Sequence, residues 1–171
     1  KPLDLQVATT AYIPAITDSQ IKDTLDNSLS LKQLDDKMTY TKKDLKKATD
    51  STEKSTLKND LKGYELQYDN QVTSIKNTLT AYRSSLIDKQ NAYLSAQNSY
   101  NIALQNFNIA KLKHDLGLLS DMSFNNEQIT LKQAENSLES AKYAYYFAKA
   151  NYEFYQKGTV LTVYNTVNTM N

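Results

Sequence analysis

The chain has 171 residues, of which 40% are hydrophobic, and it contains only 3 glycines and 2 prolines. So few helix-breaking residues indicate long uninterrupted elements, and we expect an all-α protein. The 20 basic and 19 acidic residues are spread along the chain and leave a net charge of +1, which excludes a strong field that would attract nucleic acid or an acidic substrate.

The composition also limits chemistry and membrane insertion. Cysteine is absent, which excludes disulfides, thiolate metal sites and a cysteine nucleophile. No run approaches the roughly 18 apolar residues that a membrane-spanning helix needs, so we expect no transmembrane helix. Residues 1–17 lack the charged and then apolar pattern of a signal peptide.

Residues 1–17 hold both prolines and alternate apolar with polar side chains. This pattern predicts an extended linker, with room for one short strand. Thr17, Asp18 or Ser19 can then cap a helix, because each has a side-chain oxygen that accepts from the backbone. Apolar residues recur at helical spacing up to residue 48, with one slip near residue 30, and predict a first helix over residues 18–49.

Two features near the end of this helix are wholly polar. Residues 50–55 are rich in capping side chains and predict a tight turn between antiparallel helices, a continuous helix being the alternative. Before this turn lies the densest group of basic residues, which consists of Lys42, Lys43, Lys46 and Lys47. The simplest interpretation is a solvated helix face, and the alternative is a patch that binds phosphate or anionic lipid.

The second predicted helix covers residues 56–116. From Val72 to Ala110 its apolar residues follow alternating steps of three and four, and only Lys89 breaks the series. A period of about 3.5 residues over more than five heptads predicts a coiled-coil surface with a left-handed supercoil. Gly117 then ends the helix, since glycine adopts the left-handed conformation most readily.

The third predicted helix covers residues 125–157. Ser123 can cap it, and the same spacing of three and four continues along it until Gly158. Residues 158–171 form a β-branched and polar tail that predicts a short strand or a frayed end. The domain organisation is therefore a linker, a helical domain over residues 18–157, and a tail.

The lengths of the three predicted helices indicate how they pack. The second would be about 90 Å long and the other two about 50 Å each, so one long central helix would be flanked by two antiparallel half-length helices. Alanines that recur every seven residues between large side chains allow the helices to approach closely. We call the residues at this predicted contact the seam: Ala103, Phe107, Ala110, Leu138, Ala141, Tyr145, Ala148 and Tyr152.

Extra aromatic residues lie off the seam on the last helix, and they predict a second apolar face with a second neighbour. These residues are Tyr143, Tyr146, Phe147 and Phe154. We therefore expect self-assembly or pairing with a second repeat. Aromatic residues in the core, with their hydroxyls at its edge, explain the tyrosines better than an aromatic binding cage does.

The turn between the second and third helices is unusually apolar and carries a family resemblance. Its residues are Leu116, Gly117, Leu118, Leu119, Ser120 and Ser123. An apolar-Gly-Leu element with a capping serine, followed by the alanine-rich seam, resembles the second structural repeat of the TolC family of outer membrane efflux proteins. The resemblance extends over roughly residues 3–158, including the proline-containing linker.

The resemblance implies a fold and a function. Family members are similar to tandem duplications of such a unit, and three protomers form a twelve-helix α-barrel. The six residues above would form a tip that docks the hairpin of a periplasmic adaptor protein, which implies a place in the extracytoplasmic cell envelope. The family's pair of membrane β-strands would occupy residues 50–55, which are too few for two strands of about ten residues each. We therefore expect a repeat from which those strands are deleted or lost, or a resemblance that is limited to the helical body.

Other classes of function have less support. An enzyme is not expected, because His114 is the only histidine and neither a nucleophile triad nor a metal or cofactor site can be assembled around it. The competing hypothesis is a generic coiled-coil module of the envelope, such as a surface-protein stalk or an adaptor-type hairpin. An adaptor hairpin would be inserted into a β-rich domain, for which the linker and the tail leave no room.

Overall fold

The computed structural model describes residues 13–157, and the regular structure in that range consists of four α-helices without a strand. They are α1 (Asp18–Asp26), α2 (Leu29–Lys47), α3 (Ser51–Asp115) and α4 (Asp121–Gln156). The prediction of an all-α protein is confirmed. The predictions for residues 1–12 of the linker and for the tail over residues 158–171 lie outside the described residues.

The predicted first helix is wrong as a single element, because α1 and α2 are separate helices. Thr17 begins α1 with a capping box, in which its Oγ1 accepts from the Gln20 amide at 3.2 Å. Ser28 then adopts an extended conformation and its Oγ accepts from the Leu31 amide at 3.4 Å, which caps α2. A serine that caps a new helix interrupts the old one, and the slip in apolar spacing near residue 30 marks this break.

The turn between α2 and α3 is shorter than predicted. One Asp50 carboxylate oxygen accepts from the amides of Thr52 at 2.8 Å and Glu53 at 2.9 Å. These bonds satisfy two amides that the first helical turn leaves without partners, so α3 begins at Ser51 rather than at residue 56.

The described residues belong to two compact units, and α3 and α4 contribute to both. In the unit of residues 16–83 and 151–157, the core is formed by Leu31, Met38, Ile75, Leu79 and Tyr152. Thr24 and Thr41 are also buried there, and their hydroxyls donate to the carbonyls of Gln20 and Lys37 at 2.7 and 2.8 Å. These hydrogen bonds offset the cost of burying the two hydroxyl groups.

The unit of residues 84–150 contains a helical hairpin of α3 and α4. Its core residues are Leu86, Tyr93, Ala103, Ala110, Tyr145 and Ala148. The rings of Tyr93 and Tyr145 stack at a centroid distance of 6.2 Å, and those of Phe107 and Phe124 at 5.5 Å. Later residues of α3 contact earlier residues of α4, so the two helices run antiparallel.

Two tyrosines of the other unit have perturbed acidity. Burial raises the pKa of Tyr152, against the opposing effect of the Arg83 charge. Burial likewise raises the pKa of Tyr155, against a hydrogen bond with Thr78, and its ring contacts that of Tyr82 at 5.0 Å. In both cases the folded protein favours the neutral phenol.

This preference predicts alkaline sensitivity. Because the folded pKa values are raised, the two phenols contribute stability that is fully present below the unfolded tyrosine pKa of about 10, and that stability is lost as the pH rises through the folded values. We expect the urea midpoint to fall above about pH 10, and to fall less in Tyr152→Phe. Urea denaturation of both proteins at a series of pH values measures the midpoints, and tyrosinate absorbance measures the ionisation of the phenols. An equal fall of the urea midpoint with pH in the unmodified protein and in Tyr152→Phe would contradict the raised pKa of Tyr152.

Candidate functional site

The tip of the hairpin in residues 84–150 begins where α3 ends. Gly117 has φ of +71°, in the left-handed region, as predicted from the sequence. Its amide donates to the His114 carbonyl and the Leu118 amide donates to the Lys113 carbonyl, both at 2.8 Å. This is the Schellman arrangement, which satisfies carbonyls that the last helical turn leaves without partners.

The start of α4 differs from the prediction. Ser120 caps it, because its Oγ accepts from the Ser123 amide at 3.3 Å and its carbonyl accepts from the Phe124 amide at 2.9 Å. Ser123 therefore lies in the first turn of α4 and is not its cap, and α4 begins at Asp121 rather than at residue 125. The Asp121 carboxylate is favourable there, since the helix N-terminus carries partial positive charge.

Side chains from the end of α3 contact side chains from the start of α4 next to this turn. His114 Nε2 lies 2.7 Å from Asp121 Oδ1, and its ring stacks on that of Phe124 at 4.6 Å. Phe124 in turn stacks on Phe107. The sequence analysis considered His114 as a candidate for catalysis or ligand binding, whereas its side chain is 31% exposed and contributes to the contact between the helices. One signal was available, because His114 continues the seam four residues after Ala110.

The apolar tip residues are open to solvent. Leu116 is 64% exposed and Leu118 is 73% exposed. Met122, which the sequence analysis did not single out, is 72% exposed beside them. Leu119 is half-buried and lines a groove with Ser123. All six predicted tip residues thus belong to one turn and the first residues of α4, and the turn presents apolar side chains to solvent.

The predicted seam residues are buried or half-buried. Five of them, Ala103, Ala110, Tyr145, Ala148 and Tyr152, are at most 8% exposed. The other three, Phe107, Leu138 and Ala141, are half-buried. Of the eight, Tyr152 belongs to the unit of residues 16–83 and 151–157, and the rest belong to the hairpin.

Beside this closed seam, the hairpin carries a second and exposed apolar surface. On α4, Tyr143 is 67% exposed and Phe147 is 57% exposed. Each lies two residues from the buried Tyr145, so at about 100° per residue they lie on the side of α4 away from the seam. On α3, Ile102 and Ile109 are exposed one residue before the buried alanines at 103 and 110. We call the surface of Tyr143 and Phe147 the outer face.

Two lysines of the hairpin form ion pairs with carboxylates of the same helix. Lys132 Nζ lies 2.7 Å from Glu135 Oε2, and Lys142 Nζ lies 3.5 Å from Glu139 Oε1. Within residues 13–157 no group of three or more histidine and carboxylate side chains is placed to hold a metal ion. None of the four helices in that range combines the length and the hydropathy of a membrane-spanning segment.

Comparison of the chain with protein-family models, curated protein sequences and solved structures found no match. The chemistry of the tip and the outer face is therefore the basis for a functional assignment. Both are exposed apolar surfaces, and surfaces of this kind usually mark an interaction site.

Two glycines give a matched test of the tip conformation. A Cβ added at Gly117 or at Gly63 would meet no atom within 4 Å, so only the backbone distinguishes the two sites. We expect Gly117→Ala to destabilise the protein by about 1–2 kcal/mol, because of its left-handed φ. Gly63→Ala, inside α3, should stabilise it by about 0.5–1 kcal/mol. Urea denaturation measures both, and a neutral Gly117→Ala would show that the tip relaxes to another conformation.

Proposed function

We propose that this chain is a structural repeat of a TolC-like efflux or export tunnel in the extracytoplasmic cell envelope. Copies of the repeat, or this repeat and a second one, would pack side by side to form the tunnel wall. The tip would dock an adaptor protein. The observation that carries this proposal is the presence of two apolar faces on α4, one closed within the hairpin and one open to solvent.

The seam face supports a wall made of closely packed helices. Small alanines and large tyrosines alternate there, so the hairpin closes on itself through its own side chains. A helical hairpin with no further partner needs only this one apolar face, and its remaining surface would be polar. The chain instead exposes aromatic rings on the far side of α4.

The outer face supports lateral assembly. An aromatic side chain buries about 150–250 Å² when a neighbour covers it, and apolar burial stabilises by about 25 cal/mol per Å². Covering Tyr143 and Phe147 would therefore favour association by several kcal/mol before the entropic cost of assembly. A wall of repeats would cover this surface on each copy.

The tip supports docking by a helical partner. Leu116, Leu118 and Met122 are exposed around a turn that the hydrogen bonds of the Gly117 and Leu118 amides hold in place. The turn can thus present apolar side chains while the amides of Gly117 and Leu118 stay bonded within the chain, which suits contact with the hairpin of an adaptor. In this proposal function depends on shape and assembly, with no catalytic step and no cofactor.

Assembly is tested by absolute solution mass, from light scattering coupled to size exclusion over a concentration series. We expect a discrete oligomer with a mass that is a multiple of 19.4 kDa. Replacing both Tyr143 and Phe147 with serine should raise the dissociation constant about 10–1000-fold, because two large apolar contacts are lost.

A matched control distinguishes this face from general hydrophobicity. Tyr40 and Leu66 are 66% and 62% exposed in the other unit, and their double serine variant should assemble like the unmodified chain. Circular dichroism verifies that both variants remain helical. A monomer at every concentration, or equal dissociation of both variants, would contradict lateral assembly and favour a free-standing stalk or hairpin.

A further inference from the structure

Seven exposed lysines lie on α2 and on the first turns of α3, towards the α2–α3 turn, and five of them share one side of these helices. These five are Lys42, Lys46, Lys54, Lys58 and Lys62. None of their ammonium groups makes a hydrogen bond or an ion pair with a described residue. Carboxylates lie near these lysines in the sequence, at Asp44, Glu53 and Asp60. The sides of the helices on which they lie explain why they do not pair with the lysines.

On α2, two of these five lysines and the nearest carboxylate lie on opposite sides. Met38 and Thr41 mark the buried line of this helix. At about 100° per residue, Lys42 and Lys46 lie to one side of this line, whereas Asp44 and Lys47 lie to the other.

The same separation holds on α3. Leu57 and Leu61 are half-buried and mark the inward line of its first turns. At about 100° per residue, the three lysines of α3 lie to one side of that line, whereas Glu53 and Asp60 lie to the other.

One contact shows which sides of the two helices coincide. Lys37 Nζ lies 5.7 Å from the centroid of the Tyr64 ring. Lys37 is on the Asp44 side of α2 and Tyr64 is on the Asp60 side of α3. The acidic sides of both helices therefore face the same way, and the lysine sides form a common face opposite to them. We call this the lysine face.

The lysine face has an electrostatic cost within the protein. Lys42 with Lys46, Lys54 with Lys58, and Lys58 with Lys62 are like charges four residues apart, and such pairs destabilise a helix. The nearest carboxylates on the same side are Asp35, seven residues before Lys42, and Glu65, three residues after Lys62, and they bound the face at the end away from the α2–α3 turn. An anionic partner would convert this repulsion into attraction.

We propose that the lysine face binds the surface of an anionic phospholipid bilayer. Lysine is a flexible, strongly hydrated point charge, so a row of lysines suits a diffuse array of lipid phosphates. The face contains no arginine for bidentate recognition and no aromatic ring for base stacking, both of which nucleic-acid surfaces typically use. Sequence analysis interpreted the basic residues near this turn as a solvated helix face, and the separation of Lys42 and Lys46 from the carboxylates favours the alternative.

The test measures binding of the full chain to vesicles by co-sedimentation. We expect binding to vesicles of equal parts phosphatidylcholine and phosphatidylglycerol, no binding to phosphatidylcholine alone, and release by added salt, which screens the interaction. Replacing the five lysines of the face with glutamine should lower the partition coefficient at least about tenfold, since each lysine near an anionic surface contributes to binding.

A control variant removes the same charge elsewhere, by glutamine substitution of five other exposed lysines: Lys76, Lys89, Lys111, Lys113 and Lys157. Circular dichroism verifies folding of both variants. The control should retain binding, and equal loss in both variants would overturn the proposal by showing an effect of net charge alone. Failure to bind the anionic vesicles, including a case in which the chain binds soluble polyphosphate instead, would also overturn it. The proposal does not depend on lateral assembly or on the tunnel function.

Discussion

The close approach of α3 and α4 in the hairpin of residues 84–150 is the constraint on which the tip and the outer face depend. Ala103, Ala110 and Ala148 are small enough to let the helices meet, while Tyr93 and Tyr145 fill the space between them by stacking at 6.2 Å. Larger side chains at the alanine positions would force off-rotamer packing or separate the helices. Smaller ones at the tyrosine positions would leave cavities.

This packing also determines what the tip can present. Because the seam continues through Phe107 to Phe124 and His114, the last turn of α3 is held against the first turn of α4. Gly117 and Ser120 then satisfy the backbone groups of the two helix ends. The leucines of the turn are not needed in the core of the hairpin, so they remain exposed and available to a partner.

Features that depend on local chemistry were predictable from the sequence. The all-helical fold followed from the scarcity of glycine and proline, and the conformation of Gly117 followed from its position directly after a helical pattern. The seam positions followed from apolar spacing, and the structure places all eight at buried or half-buried positions. Each of these depends on a residue and its neighbours within one or two helical turns.

Other features required information from distant residues. Ser120 and Ser123 are both suitable as the N-cap of α4, and a cap contributes only about 1 kcal/mol. Contacts between the two helices, such as that between His114 and Asp121, are therefore large enough to select one serine over the other. The break at Ser28 is a similar small competition between a cap and a continuous helix. The lysine face could not be predicted from one helix, because it forms only when the sides of α2 and α3 are aligned, which the contact between Lys37 and Tyr64 reveals.

The proposed tunnel wall requires that copies of this chain pack side by side with their tips at one end. Since the chain has no cysteine, Leu118→Cys creates a single spin-label site at an exposed tip position. Double electron–electron resonance on the assembled protein should give a narrow distance distribution between labels, with a modulation depth that requires more than two spins. An oligomer without dipolar coupling between tip labels would contradict parallel assembly, and with it the proposed tunnel wall.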